Sequence, residues 1–255
     1  MTGDDDAVFE YLLRLGDNCL ILAHRTSEWC GHGPALEEDI ALANTALDLI
    51  GQTRLWLSLA GEVEGAGRSA DDLAYRRDAM DFRNVSLVEQ PNGDFAHTLV
   101  RQFLFDAWHL PTLHALARSS DPRIAAIAEK ATKEVTYHLE RSTDLVIRLG
   151  DGSAESHARL QTALTSLWPF SDELRDPDDI EYRLARDGIA PAPDAVVAQW
   201  EGHVFEALRR ATLERFEEGR GRFKGRGKQG RHGEHLGLLL AEMQSLSRAH
   251  PGASW

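Results

Sequence analysis

The chain has 255 residues, 42% hydrophobic and 27% charged. This globular balance excludes disorder as a description of the whole, and the length suits one large domain or two small ones at ~150 residues per domain. Asp plus Glu number 41 against 28 Lys plus Arg, a formal net charge of -13, so the surface repels phosphate backbones and nucleic acid is a poor partner. No apolar run approaches the ~18 residues that would span a bilayer. The opening Met1-Thr-Gly-Asp-Asp-Asp also lacks the basic region of a secretory signal, so a cytoplasmic protein that does not enter the membrane is expected. Cys19 and Cys30 are too few for a disulfide framework or a typical zinc site and are expected as reduced thiols packed like small apolar residues.

Apolar residues recur at helical spacing almost throughout, and clean strand alternation is nowhere found, so the expected fold class is all-α. The first helix is predicted from about Asp5 to Ser27, ended by Trp29-Cys-Gly-His-Gly-Pro34. A second runs from about Ala35 to Glu62, where Leu36, Ile40, Ala43, Leu47, Ile50 and Leu57 form a stripe expected to face the core. Pro91-Asn-Gly-Asp94 signals a turn, with Asp94 capping a third long helix to about Ser119. That helix is apolar almost all round and should lie deep in a bundle. Asp121-Pro122 starts a fourth, to about Leu149, whose stripe is Ile124, Ile127, Ala131, Val135, His138, Leu145 and Leu149. Shorter helices follow at about Ala154–Trp168, Pro177–Asp187, Pro193–Arg215 and Glu234–His250. Four helices of ~24 to 28 residues, each ~35 to 42 Å long, make an extended bundle. With no repeat and no dividing linker, a single domain over 1–255 is expected. The basic, Gly-rich loop Gly219–Arg231 carries six positive charges and no acid. It does not fit a phosphate-cradling P-loop, and a solvated flexible loop is the plainer reading.

Long bundles with inward His and carboxylates raise the question of a metal site. Residues three apart share a helix face, so a Glu-x-x-His pair can reach one ion. No Glu-x-x-His occurs in the chain. Asp94 and His97 sit at a helix start, where the Asp is expected as a cap. Asp106 and His109 lie in the most apolar segment, where ionisable groups need partners. Two readings follow: a buried hydrogen-bonded pair, joined by His138, that fixes helix register, or a metal set of Asp106, His109, Glu134 and His138 giving the chain oxygenase activity of its own.

Several segments carry a resemblance: Arg14-Leu-Gly-Asp-Asn18, Glu28-Trp-Cys-Gly-His32, Leu47-Asp-Leu-Ile-Gly-Gln52, Val88-Glu-Gln-Pro-Asn-Gly93, Asp106-Ala-Trp-His109, Tyr137-His138, Glu234-His-Leu-Gly237 and Ala241-Glu-Met-Gln244. In this order they resemble the non-catalytic, ferritin-like subunits of the bacterial phenylacetyl-CoA ring epoxidase, from about residue 10 to the end. The resemblance implies a ferritin-like fold and a structural, non-catalytic role in aerobic phenylacetate degradation. It also implies a hetero-oligomer with a homologous di-iron oxygenase subunit, a small accessory subunit and a reductase carrying FAD and an iron–sulfur centre and using NADPH. No cofactor is expected in this chain. Compared with the motifs of the catalytic sister subunit, Leu49 and Gln52 stand where a carboxylate and a His would be, and Val135 replaces a carboxylate beside the retained His138. Asp106 is also retained, and the Asp17–Ile21 region offers no Glu. Asp106 and His138 are therefore expected as a vestige, buried and within direct or water-bridged hydrogen-bond reach of each other. The partner interface is expected on the first two long helices, with Tyr11 and Trp56 as anchors.

Overall fold

The computed structural model describes residues 3–214, 225–251 and 253. All long elements among them are helices, and the one β-type pairing is an isolated bridge between Arg226 and Arg231. The described residues fall into two compact units, one of 3–91 with those from 225 onward and the other of 92–214.

In the first unit, α1 (Gly3–Ser27) and α2 (Leu36–Glu64) pack along their lengths. Gly16 is a point of close approach, since a Cβ there would fall 2.5 Å from a Leu57 methyl. Thr53 Oγ1 donates to the Gly16 carbonyl at 3.5 Å and Cys19 Sγ to Gln52 Oε1 at 3.8 Å, contacts whose order makes the pair antiparallel. α2 ends at Gly65, whose left-handed φ of 69° lets its N–H return to the Gly61 carbonyl. Three short elements follow: α3 (Ala70–Tyr75), a 3-10 turn (Ala79–Asp81) and α4 (Ser86–Glu89). Hydrophobic periodicity predicts none of them, although Ser69 and Asp72 form a reciprocal capping box that is visible in the sequence.

The second unit is built on α5 (Phe95–Leu116) and α6 (Pro122–Gly150). Asp94 and Asp121 cap them as expected: the Asp94 carboxylate accepts from the His97 amide at 3.0 Å, and Asp121 from the Arg123 amide at 2.8 Å. α5 is buried on nearly every side, as its all-round apolar surface predicts, because α6, α7 (Ala154–Leu167) and α10 (Pro193–Arg210) all pack on it. A 3-10 turn (Trp168–Ser171), α8 (Asp172–Arg175) and α9 (Asp179–Arg186) lie between α7 and α10 in sequence. Trp200 Nε1 donates to the Leu104 carbonyl at 2.9 Å, and the Arg175 guanidinium sits over both Trp168 and Trp200.

The first unit closes with a 3-10 turn (Gly227–Gln229) and α11 (Glu234–Ala249). Half of the basic loop, residues 219–224, lies outside the described residues. Residues 225–231 are not simply solvated. A Cβ at Gly227 would stand 2.2 Å from the Asn84 carbonyl oxygen, and one at Gly230 2.2 Å from that of Met80, so these glycines let the segment lie directly on residues 80–86.

Burial requires two corrections. The α2 stripe expected to face the core faces solvent instead: Leu36 is 71% exposed, Ile40 52%, Leu47 68% and Ile50 39%. Leu42, Leu49, Trp56 and Leu59 fill the interior, and only Leu57 of the expected stripe is buried. Both faces of this helix are apolar, so periodicity alone does not choose between them. Cys30 is also exposed, while Cys19 is buried, and both are free thiols. Among the described residues no helix is long and apolar enough to cross a membrane.

Candidate functional site

The chemistry-bearing residues of the second unit gather where α5 packs against α6. Asp106 and His109 occupy adjacent turns of α5, and Val135, His138 and Ser142 share the inward stripe of α6; all five are buried. The Asp106 carboxylate is held on both oxygens. Gln102 Nε2, one turn earlier on the same helix, donates to Oδ1 at 2.7 Å, and the Ser142 hydroxyl donates to Oδ2 at 3.1 Å. Burial pushes the Asp106 carboxyl up to about 6, opposed by the nearby His138 ring and by the Gln102 and Ser142 hydrogen bonds. Burial likewise pushes His109 down to about 3, and His138 adds to that depression. His109 is thus neutral at pH 7, packed 5.0 Å from the Phe105 ring. The His138 ring acts on Asp106 electrostatically, and the hydrogen-bond partners of the carboxylate described above are Gln102 and Ser142. Neither stands out from the sequence as a site residue. A signal for one of them exists: Gln102 is a polar residue four before Asp106 in a helix with almost no polar face.

This cluster does not fit a di-iron site. An iron pair needs several carboxylates to balance its charge. The Asp106 carboxylate is occupied by an amide and a hydroxyl, and Val135, one turn from His138, is a buried aliphatic residue. Among the described residues no group of three or more His, Cys, Asp or Glu side chains is placed to hold a metal ion. That includes Asp106, His109, Glu134 and His138.

The first unit holds the other positions read from the sequence. Leu49 is fully buried, and Gln52 is buried with its side-chain oxygen facing the Cys19 thiol. Asp17 is buried in an ion pair with Arg77 and accepts from the Arg83 amide at 2.8 Å. Asn18 Oδ1 accepts from the Val85 amide at 2.8 Å. Asp17 and Asn18 therefore anchor the 77–85 segment to α1. Tyr11 and Trp56, expected as interface anchors, are 3% and 0% exposed and belong to the core. The Trp56 side chain lies against Gly16 at the α1–α2 contact, so burial within the chain keeps both rings from a partner.

A further polar centre carries no assignment from the sequence. Glu89 is fully buried at the end of α4, and its Oε1 accepts from the Gly233 amide at 2.8 Å. Its Oε2 receives Asn84 Nδ2 at 3.3 Å and lies 2.9 Å from His232 Nδ1, while His232 Nε2 lies 3.0 Å from the Phe82 carbonyl. Arg25 donates to the backbone carbonyls of Glu89 and His235. The cluster joins α1, α4 and the start of α11 and has the character of a clasp.

A profile of the phenylacetic acid catabolic protein family (PaaA_PaaC) matches residues 1–255. The chain is also 49% identical over 245 residues to one of the subunits of the 1,2-phenylacetyl-CoA epoxidase of Escherichia coli (strain K12), an alignment covering 96% of this chain and 98% of the relative. The order of motifs, the helical architecture and these two matches agree: the chain belongs to the phenylacetic acid catabolic protein family, whose members are ferritin-like, all-α proteins.

Proposed function

We propose that this chain is a structural, non-catalytic subunit of a multicomponent phenylacetyl-CoA epoxidase. It would pair with a homologous di-iron oxygenase subunit that inserts oxygen into the aromatic ring. A small accessory subunit and a reductase using NADPH, FAD and an iron–sulfur centre complete the system in this reading. The observation that carries the reading is the state of Asp106. A carboxylate kept for iron would be open toward the metal, whereas this one is closed by Gln102 and Ser142, with buried Val135 and Leu49 at two positions where the catalytic sister would supply carboxylates. The subunit relationship is supported by the relative at 49% identity, whose name places it in such an enzyme.

Co-expression with the di-iron subunit of the same system tests the reading. The two chains should co-purify, and ring epoxidation in the reconstituted system should require both and survive Asp106→Asn in this chain. Epoxidase activity from this chain without the di-iron subunit, abolished by Asp106→Asn, would replace the reading with that of a metal-dependent oxygenase.

A further inference from the structure

The groove between the end of α5 and the first half of α6 gathers positive charge that the chain itself leaves unneutralised. Its register follows from the Ser142 hydrogen bond to Asp106. Stepping eight residues from that pair along each of the two antiparallel helices carries Asp106 to His114 and Ser142 to Glu134, which sets His114 near Lys133 and Arg118 near Lys130. These four side chains line one hollow of about 810 Å³, where Ala117 and Ala126 take up little of the space. That volume suits a ligand of nucleotide size. All four are exposed, and among the described residues none of their side chains forms an ion pair or hydrogen bond within the chain. Glu129, the acid on the wall of the groove, pairs with none of them. Other arginines of the same unit are matched: Arg123 with Asp121, Arg148 with Asp144, Arg159 with Glu155 and Arg209 with Glu206. On a chain of net charge -13, an open cluster of Arg118, Lys130, Lys133 and His114 is a local exception. The pull of a helix C-terminus on cations accounts for His114 and Arg118 but not for Lys130 and Lys133, which stand away from the ends of α6.

We propose that this groove binds the diphosphate group of a nucleotide, with the base on Tyr137. The charges are compact: Lys130 and Lys133 are about 4.5 Å apart along the α6 axis, and His114 and Arg118 about 6 Å apart along α5. A field so concentrated matches one or two phosphates, whereas an acidic protein segment carries single charges spread along its backbone and needs a longer basic strip. Arg118 supplies a planar fork for two phosphate oxygens, and the lysines supply point charges. Tyr137 follows Lys130 and Lys133 at spacings of seven and four on the same α6 face, and it is 52% exposed. Its position about 6 Å along the axis from Lys133 and about 10 Å from Lys130 matches the reach from a base to the first and second phosphates of a nucleoside diphosphate. An exposed aromatic ring at that point gives a base a stacking surface. The site lies on this chain's own surface, so it goes beyond the subunit role proposed above and does not depend on it.

The test is isothermal titration calorimetry on the full chain at low ionic strength, where exposed charges are least screened. The probes are pyrophosphate, ADP and coenzyme A. ADP should bind saturably with one site per chain, and more tightly than pyrophosphate. Lys130→Glu with Lys133→Glu should raise the ADP dissociation constant by ~10-fold or more and leave the helical circular dichroism unchanged, since both side chains are exposed. Arg148→Glu with Arg159→Glu makes the same charge change elsewhere on the unit and should leave binding within ~2-fold, which separates a site from a diffuse field. Tyr137→Ala should weaken ADP by ~5-fold or more without affecting pyrophosphate. Coenzyme A bound more tightly than ADP would identify the ligand as the nucleotide end of a coenzyme, and equal binding would identify a free nucleotide. No saturable binding of ADP, equal losses from the two charge-reversed pairs, or ADP binding indifferent to Tyr137→Ala would each overturn the proposal.

Discussion

Replacing Asp106 by Asn should stabilise the protein at neutral pH. In the folded chain burial raises the Asp106 carboxyl to about 6 from the ordinary 3.8, so folding favours its neutral form. Between those two values the native state binds more protons than the unfolded state, and stability falls as pH rises through that window. About two units at ~1.4 kcal/mol per unit gives a cost of ~3 kcal/mol that is complete at pH 7 and absent below pH 4. Asn keeps the shape, and its side-chain oxygen still accepts from Gln102 Nε2. The Ser142 hydroxyl lies 3.3 Å from the Leu139 carbonyl and can donate there while accepting from the new amide. Urea denaturation of wild type and Asp106→Asn at pH 4 and pH 7.5 measures the difference. The expected result is a variant more stable by a few kcal/mol at pH 7.5, with the gain shrinking toward zero at pH 4. A variant less stable than wild type at pH 7.5, or a difference that does not change with pH, would refute the argument that Asp106 is a costly buried charge.

The neighbouring His109 acts in the opposite direction: its depressed folded value of about 3 means that stability present above 6.5 is lost as pH falls toward 3. His109→Phe should therefore flatten the acid limb of a stability–pH profile measured by thermal melting. Glu89→Ala should destabilise by ~3–5 kcal/mol because it removes the acceptor of buried donors from Asn84, Gly233 and His232. Hydrogen exchange should show the loosening concentrated at α4 and the start of α11. Trp200→Phe should cost ~1–3 kcal/mol in urea unfolding, since it leaves the buried Leu104 carbonyl without its indole donor.

The long helices are legible in the sequence because their signals are local. Asp94 and Asp121 with Pro122 mark starts that the structure places where the caps fall, and the α5 surface is apolar enough to force burial whatever its neighbours. The end of α6 is less legible: Ser142, Val146 and Gly150 are buried where Leu145 and Leu149 are expected, because a 3.6-residue period drifts from a fixed stripe over a long helix. The buried face of α2 is hidden for a different reason. Two apolar faces carry similar periodic signal, and which of them packs on α1 is a tertiary fact. The short helices between 70 and 89 depend on Asp17, Asn18 and Glu89 reaching across to other elements, which no local window contains. Of the candidate site, Asp106 and His138 stand out as ionisable groups in apolar stripes. Gln102 and Ser142, which decide what Asp106 can do, look in sequence like ordinary polar residues.

The most direct test of the central claim is iron content, measured by elemental analysis and Mössbauer spectroscopy on the chain purified alone and on the chain co-purified with the di-iron subunit. The account predicts no stoichiometric iron in the chain alone. In the pair it predicts a full di-iron complement that Asp106→Asn and His138→Gln in this chain leave unchanged. Iron bound stoichiometrically by the chain alone, and lost with either substitution, would contradict it.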